Sequence, residues 1–275
     1  MTVTNAVETT MIWGTVSGAS MVGMVISLLL SVGLPIFLGI FIYKKTKAWV
    51  PAFFIGCGIF VGFAMILEQI CHAIVLTVTG DVIRDNIWLY AIYGGLAAAL
   101  FEECGRWIAM KFCLKKHLTR ENALMYGAGH GGIEAFLILG MSSMSNLLTA
   151  AMINGGLMEK TMTALEPAQQ EVTYHQLSVL WTTPAYQFYL APVERISAIA
   201  LQIALSILVY SAVKTGRKLH LAAAFGLHFA VDFLTVICAA AIPTWALELG
   251  LLLVVAVICV VVYQLVYVQM AEKKA

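Results

Sequence analysis

Long apolar stretches alternate with short polar segments along the whole chain. Seven of the apolar stretches have about 20 residues or more, the length that a helix needs to cross a bilayer. The pattern predicts an all-α, polytopic membrane protein with seven transmembrane helices in one domain over residues 1–275. The predicted spans are 14–43, 48–78, 87–111, 122–145, 193–213, 219–241 and 247–269.

The composition agrees with a membrane protein. Of the 275 residues, 61% are hydrophobic and 11% are charged, and the mean hydropathy is +0.90. The formal net charge of +1 provides no basic excess that would favour nucleic acid. Membrane lipid is therefore an expected partner of the chain, and nucleic acid is not.

Positive charges divide unevenly between the two sides that alternating spans would define. Twelve of the sixteen Lys and Arg residues fall on one side, after the first, third, fifth and seventh spans. Because cations concentrate in cytoplasmic loops, we expect a cell-membrane protein with its N-terminus outside and its C-terminus in the cytosol. The long polar segment at about residues 154–183 would then be external.

Ionisable residues within the predicted spans are the candidates for function, because a charge at the bilayer centre costs at least ~2.5–3.5 kcal/mol. In the third span, Glu102 and Glu103 precede Arg106. Glu102 and Arg106 are four residues apart and share a helix face, so an ion pair between them is predicted. The alternative explanation is a Glu–Arg pair that only locks two helices together.

Two other spans each carry a histidine and a carboxylate one helical turn apart. These are His130 with Glu134, and His228 with Asp232. The spacing presents two metal ligands, or a ligand and its orienting partner, from one helix. Counted from the predicted cytosolic ends, Glu103 and both histidines lie ~12–14 Å deep at 1.5 Å per residue. The glycines beside His130 would let neighbouring helices approach closely.

A lone intramembrane histidine is more often a packing partner than a ligand, but three motifs at one depth favour a functional site. A mechanism with a serine or cysteine nucleophile is less consistent with the sequence. Cys104 adjoins Glu103, but no histidine is placed beside it in a polar cleft. There is no Gly-x-Ser-x-Gly sequence, and three serines lie beyond the depth of the motifs: Ser142, Ser143 and Ser145.

A second polar group is predicted nearer the outer face. It contains Glu68 and His72 on the second span, and Glu194 and Arg195 at the start of the fifth. The simplest interpretation is a Glu68–Arg195 ion pair that holds these two spans together. A catalytic or substrate-gating role is the alternative.

The three motifs together resemble those of the glutamate-type intramembrane proteases. They read Glu-Glu-x-x-Arg, His-x-x-x-Glu and His-x-x-x-Asp, each on its own span. That superfamily includes the CAAX prenyl endopeptidases, the bacteriocin-processing relatives and the PrsW-type proteases. Length, seven spans and the Glu194-Arg195 pair are most similar to the YhfC-like intramembrane metalloproteases. The arginine spacing and the fourth-span motif differ from those of the CAAX enzymes, which argues against prenylated substrates.

The resemblance implies hydrolysis of a peptide bond in a membrane-associated protein or peptide. It also makes Zn²⁺ an expected cofactor, with Glu103, His130 and His228 as its ligands; alternatively, the two histidines and an acid polarise the water and the oxyanion directly. The water-activating base stays open between two acids, because pairing with Arg106 would make Glu102 the poorer base, whereas the family resemblance favours Glu102. The implied catalytic positions are Glu102, Glu103, His130 and His228, and the supporting ones are Arg106, Glu134 and Asp232.

Two other functional classes are consistent with the same residues. A proton-coupled transporter would use the acids and histidines as a relay, although transporters often contain repeated halves and this chain has no evident repeat. A non-catalytic membrane scaffold or immunity protein would retain the polar residues without activity.

Overall fold

A computed structural model describes residues 11–272, and within them the chain forms helices and no strand. Seven helices in this part of the chain are long and apolar enough to span a membrane, which confirms the predicted all-α class. Two further helices, α5 and α6, lie in the polar segment between the fourth and fifth spans. The bounds are α1 Gly18–Thr46, α2 Pro51–Thr79, α3 Ile87–Cys113, α4 Arg120–Asn154, α5 Leu157–Met162, α6 Pro167–Thr182, α7 Ala185–Thr215, α8 Lys218–Ala239 and α9 Thr244–Val268.

Two spanning helices are longer than the sequence predicted. Helix α4 continues to Asn154, and α7 begins at Ala185 rather than at residue 193. Helix α7 starts directly after Pro184 and continues through Pro192. Glu194 and Arg195 therefore lie inside a helix and not at its end, which brings them closer to the level of the other polar residues.

Helices α4 and α7 form the centre of the bundle. Helix α4 packs against α1, α2 and α7, while α8 packs against α3 and α9 against α7. Of the seven spanning helices, α7 is the most buried. The four helices that carry the candidate residues, α3, α4, α7 and α8, thus enclose a shared interior.

Three glycines of α4 allow this close packing. A Cβ added to Gly129 would lie only 1.9 Å from the carbonyl oxygen of Phe53 in α2. One on Gly131 would lie 3.0 Å from the backbone of α7, and one on Gly132 would lie 2.6 Å from α1. The close approach predicted beside His130 is confirmed, and it involves three different neighbouring helices.

The residues before α1 attach the α6 helix to the bundle. The backbone N–H and C=O of Val16 both bond to the side chain of Asn154, at 2.8 and 2.9 Å. The ring of Trp13 lies 5.5 Å from that of Tyr174 and 5.8 Å from that of Trp181, centroid to centroid. These contacts form a small apolar cluster that is separate from the main core.

Candidate active site

Helix α3 places both adjacent acids and an arginine in the interior. Glu102, Glu103 and Arg106 have 7%, 2% and 0% of their surface exposed. A charge buried to this extent is costly unless it is paired and hydrogen-bonded. The contacts of these three side chains therefore define how the site is built.

His130 of α4 faces the first of the two acids. Its Nε2 atom lies 2.9 Å from Oε2 of Glu102. The imidazole is fully buried and packs edge-on against Phe60, with ring centroids 5.2 Å apart. The close packing of the α4 glycines against α1, α2 and α7 thus fixes this histidine in a single position.

His228 of α8 lies between the two acids. Its Nδ1 atom is 2.8 Å from Oε1 of Glu103, and its Nε2 atom is 3.9 Å from Oε2 of Glu102. Nε2 is also 3.5 Å from Oδ2 of Asp232, one turn along the same helix. Because a carboxylate only accepts, the Nδ1–H donates to Glu103, and Nε2 is left facing Glu102 and Asp232.

Arg106 contacts the second acid more closely than the first. Its Nε atom lies 3.2 Å from Oε2 of Glu103, whereas its Nη2 atom lies 4.0 Å from Oε2 of Glu102. The predicted ion pair between Glu102 and Arg106 forms, but the shorter contact of Arg106 is with Glu103. A spacing of three residues brings side chains together on a helix as well as a spacing of four, and the rotamers decide between them.

Gln202 of α7 is a site residue that sequence reasoning missed. Its amide nitrogen donates to Oε2 of Glu102 and to Oε2 of Glu134, both at 2.8 Å. Its side-chain and backbone oxygens accept from Arg106, which also donates to Oγ of Ser206 at 2.7 Å. The one available signal was an amide in an otherwise apolar stretch, seven residues after Arg195 and thus on the same helix face.

The outer polar group separates into two parts. Arg195 pairs with Glu134 at 3.1 Å through Nη1, and with its neighbour Glu194 through Nη2. Glu68 instead pairs with His72, at 3.2 Å on its own helix. The expected ion pair between Glu68 and Arg195, both of which the structure describes, does not form. The longer α7 explains this, because it places Arg195 beside α4.

Glu68 and His72 belong to a contact between α2 and α3. The Nδ1 atom of His72 lies 2.8 Å from the hydroxyl of Tyr93, and the two rings meet edge to face. Glu68 is buried, and its Oε1 atom lies 3.2 Å from Nε2 of the same imidazole. This group joins two helices and does not line the cavity described next.

A polar cavity of about 330 Å³ lies between α3, α4, α7, α8 and α9. Residues of two groups described above line this cavity. Glu102 and His228 come from the three motifs, and Glu194 and Arg195 come from the outer polar group. Glu103, Arg106 and His130 are buried and do not line the cavity. Its other polar lining residues are Glu134, Ser197, Gln202, Asp232 and Thr235, whereas Ser142, Ser143, Ser145 and Cys104 do not line it.

Comparison with known proteins agrees with the sequence resemblance. The family model described as YhfC intramembrane metalloprotease matches residues 30–261, which is most of the chain. The chain belongs to the YhfC family. Its relatives include the uncharacterized membrane protein YhfC of Bacillus subtilis (strain 168), at 43% identity over 204 residues. That alignment covers 71% of this chain and 76% of the relative, and no solved structure matches.

The YhfC family name implies a metal, and the donor atoms of the site have the chemistry to bind one. Nε2 of both histidines is directed towards Oε2 of Glu102, and Glu103 holds Nδ1 of His228, an arrangement common among metal-ligating histidines. Within residues 11–272, however, no three His, Cys, Asp or Glu side chains lie close enough together to form a metal site. Among the described residues, the site therefore offers suitable donor atoms without a preformed metal geometry.

Proposed function

We propose that this chain is an intramembrane endopeptidase that hydrolyses a peptide bond of a membrane-associated protein or peptide. The observation that carries the proposal is the position of Glu102, whose carboxylate lines an interior polar cavity between two buried imidazoles. Membership in the YhfC intramembrane metalloprotease family supports it. Membrane lipid surrounds the bundle, and the substrate enters from that phase.

Glu102 is the proposed base. Its Oε2 atom takes a proton from a water in the cavity while the water oxygen attacks the carbonyl carbon of the substrate. The proton then passes to the leaving amine as the C–N bond breaks, so that Glu102 ends the cycle as it began. Gln202 donates to the same oxygen and fixes the direction of the carboxylate.

When no metal is bound, His228 is the proposed group that stabilises the developing oxyanion; with a metal bound, its Nε2 atom would be a ligand instead. Its Nε2 atom faces the cavity because its Nδ1 atom is held by Glu103. Asp232, which lies 3.5 Å from Nε2, supports the protonated imidazole. Arg106 neutralises Glu103 from within the bundle and takes no part in bond making.

The metal belongs to the proposal as well. Zn²⁺ would be held by His130 and His228 with a carboxylate from the α3 pair, and it would polarise the carbonyl and acidify the bound water. The sequence placed Glu103 among these ligands. Because its oxygens contact His228 and Arg106, we propose that Glu103 orients His228 and that Glu102 completes the ligand set or acts as base.

The location is the cell membrane, with the N-terminus outside, the segment 154–183 external and the C-terminus cytosolic. The lysine-rich connections after α1, α3 and α7 support this orientation. The active-site cavity would then lie within the depth of the bilayer.

The test compares the N-termini of membrane proteins in cells that produce the wild-type chain, Glu102→Gln, or Glu159→Gln. Glu159 is exposed on α5 and serves as the matched control. We expect N-termini that appear with the wild type and the control and disappear with Glu102→Gln. Identical sets of N-termini in all three strains would exclude the protease function. Zinc content of purified wild type, His130→Ala and His228→Ala tests the ligand assignment separately.

A further inference from the structure

A second, shallower pocket of about 520 Å³ lies at one end of the bundle. It forms where the α1–α2 connection, the α3–α4 connection and the end of α9 meet. Its lining is mostly polar and includes Lys45, Lys47, Trp49, Arg120 and Tyr267. We call it the basic pocket.

The walls of the basic pocket are fixed by specific contacts. The backbone N–H of Trp49 donates to Oδ1 of Asn122 at 2.7 Å, and Nδ2 of Asn122 donates to the carbonyl of His117 at 2.6 Å. The rings of Trp49 and His117 stack with centroids 4.1 Å apart. Lys47 has a left-handed backbone conformation, φ 57°, that ends α1 and turns the chain into this contact.

The pocket carries an excess of positive charge. Its single acid, Glu121, is already paired with Arg120 at 2.9 Å. Lys45 and Lys47 are exposed, and neither forms an ion pair with any residue from 11 to 272. Two lysines therefore remain available for an anion.

An apolar groove of about 400 Å³ lies next to the basic pocket, between α4, α7 and α9. Tyr267 lines both the pocket and the groove. The guanidinium of Arg120 lies over its ring, 4.5 Å from the centroid. One helical turn beyond this junction, Leu124 and Tyr263 line only the groove. Its floor is apolar, with Ala200 among the α7 residues that form it.

We propose that the basic pocket and the groove together bind one anionic phospholipid. The phosphate group lies between Lys45 and Lys47, and an acyl chain follows the groove past Tyr267. Basic pockets between helices at a membrane surface are suited to lipid headgroups, and each buried methylene adds affinity. Free phosphate would use only half of this surface. Because α7 presents Gln202 to the cavity and Ala200 to the groove, the bound lipid stabilises the helix that organises the active site.

The experiment measures lipid binding to the purified full chain by native mass spectrometry and thermal unfolding in detergent. The probes are dioleoyl phosphatidylglycerol, dioleoyl phosphatidylcholine and inorganic phosphate. We expect phosphatidylglycerol to stay bound and to raise the unfolding temperature, and the other two to have little effect. Equal effects of both lipids would overturn the proposal, and an equal effect of inorganic phosphate would assign the pocket to the free anion.

Variants separate the headgroup from the acyl chain. Lys45→Gln/Lys47→Gln should weaken phosphatidylglycerol binding by about fivefold per lysine. The control Lys214→Gln/Lys218→Gln removes two exposed lysines outside the pocket and should leave binding unchanged. Ala200→Leu fills the groove without a change of charge and should also weaken binding. Unchanged binding in both pocket variants, with circular dichroism showing folded protein, would refute the site whatever the activity of the chain.

Discussion

The Nδ1 atom of His228 contacts Oε1 of Glu103 at 2.8 Å, while the opposite nitrogen of the ring faces the cavity that Glu102 lines. Two adjacent acids thus occupy different environments. Glu102 is accessible to a molecule in the cavity, whereas Glu103 is enclosed by His228 and Arg106. The sequence left the choice of base open between them, and this geometry favours Glu102.

Replacement of the two acids by glutamine should separate these roles. Glu102→Gln should abolish cleavage while the unfolding temperature changes little, because the amide keeps the shape but cannot take a proton. Glu103→Gln should reduce cleavage about 10–100-fold, the usual effect of losing a partner that orients a catalytic histidine. It should also lower stability, since Arg106 loses its closest anion. The measurements are cleavage of an identified substrate and thermal unfolding; full activity of Glu102→Gln would reverse the assignment.

Gln202 should be required for stability as well as activity. Gln202→Leu keeps a similar volume but removes one hydrogen-bond donor from each of Glu102 and Glu134 and one acceptor from Arg106. A hydrogen bond to a charged group contributes ~1.5–3 kcal/mol, so we expect a loss of at least ~2 kcal/mol. The matched control is Gln264→Leu, at an exposed position of α9. Equal unfolding temperatures for the two variants would contradict the described network.

Arg195 should be coupled to Glu134 and not to Glu68. Arg195→Gln leaves the buried Glu134 unpaired, and breaking such a pair typically costs ~3–5 kcal/mol. Glu134→Gln in the same chain should recover part of this loss. Glu68→Gln combined with Arg195→Gln should be additive, because distant residues without shared partners do not couple. A double-mutant cycle on thermal stability checks both statements.

The packing around His130 predicts opposite effects for two glycine substitutions. Gly129→Ala forces a Cβ against the Phe53 carbonyl oxygen and should prevent correct assembly of α2 on α4. Gly58→Ala meets nothing within 4 Å and should be neutral or raise stability by up to ~1 kcal/mol. The yield of monodisperse protein and its unfolding temperature are the measurements. Normal behaviour of Gly129→Ala would mean that the two backbones are farther apart.

The orientation in the membrane remains a prediction from the positive charges. Reporter fusions after Ala275 and near Pro167 should report opposite compartments, with the former in the cytosol. Pro167 begins α6, outside the seven spanning helices. Three spanning helices lie between these two positions, so fusions that report the same compartment would contradict the seven-span topology.

The sequence was sufficient for the features that depend on local pattern. Seven apolar stretches predicted the seven spanning helices, and the glycines next to His130 predicted close helix contacts. Counting depth from the helix ends predicted one level for Glu103, His130 and His228, and the structure places each histidine within 2.9 Å of one of the α3 acids. These inferences rest on residue spacing within a helix, which fixes faces and depths before any tertiary contact is known.

Features that depend on the pairing of distant helices were not predictable in this way. Gln202 lies between apolar neighbours, and its four contacts come from α3 and α4. The partner of Arg195 changed because α7 begins earlier than hydropathy suggested. The preference of Arg106 for Glu103 depends on side-chain rotamers, which spacing alone does not determine.

The burial of Arg106 also has a consequence for membrane insertion. Helix α3 is the least hydropathic of the seven spanning helices in the described chain, and it carries two acids and an arginine. Its hydrogen-bond partner Gln202 follows Arg106 by 96 residues, so it is synthesised much later. Until α7 has been made, Arg106 lacks its hydrogen bonds to Gln202 and Ser206, and α3 is poorly suited to contact with lipid alone. We therefore expect α3 to stay beside the insertion machinery, or return to it, until α7 enters the bilayer.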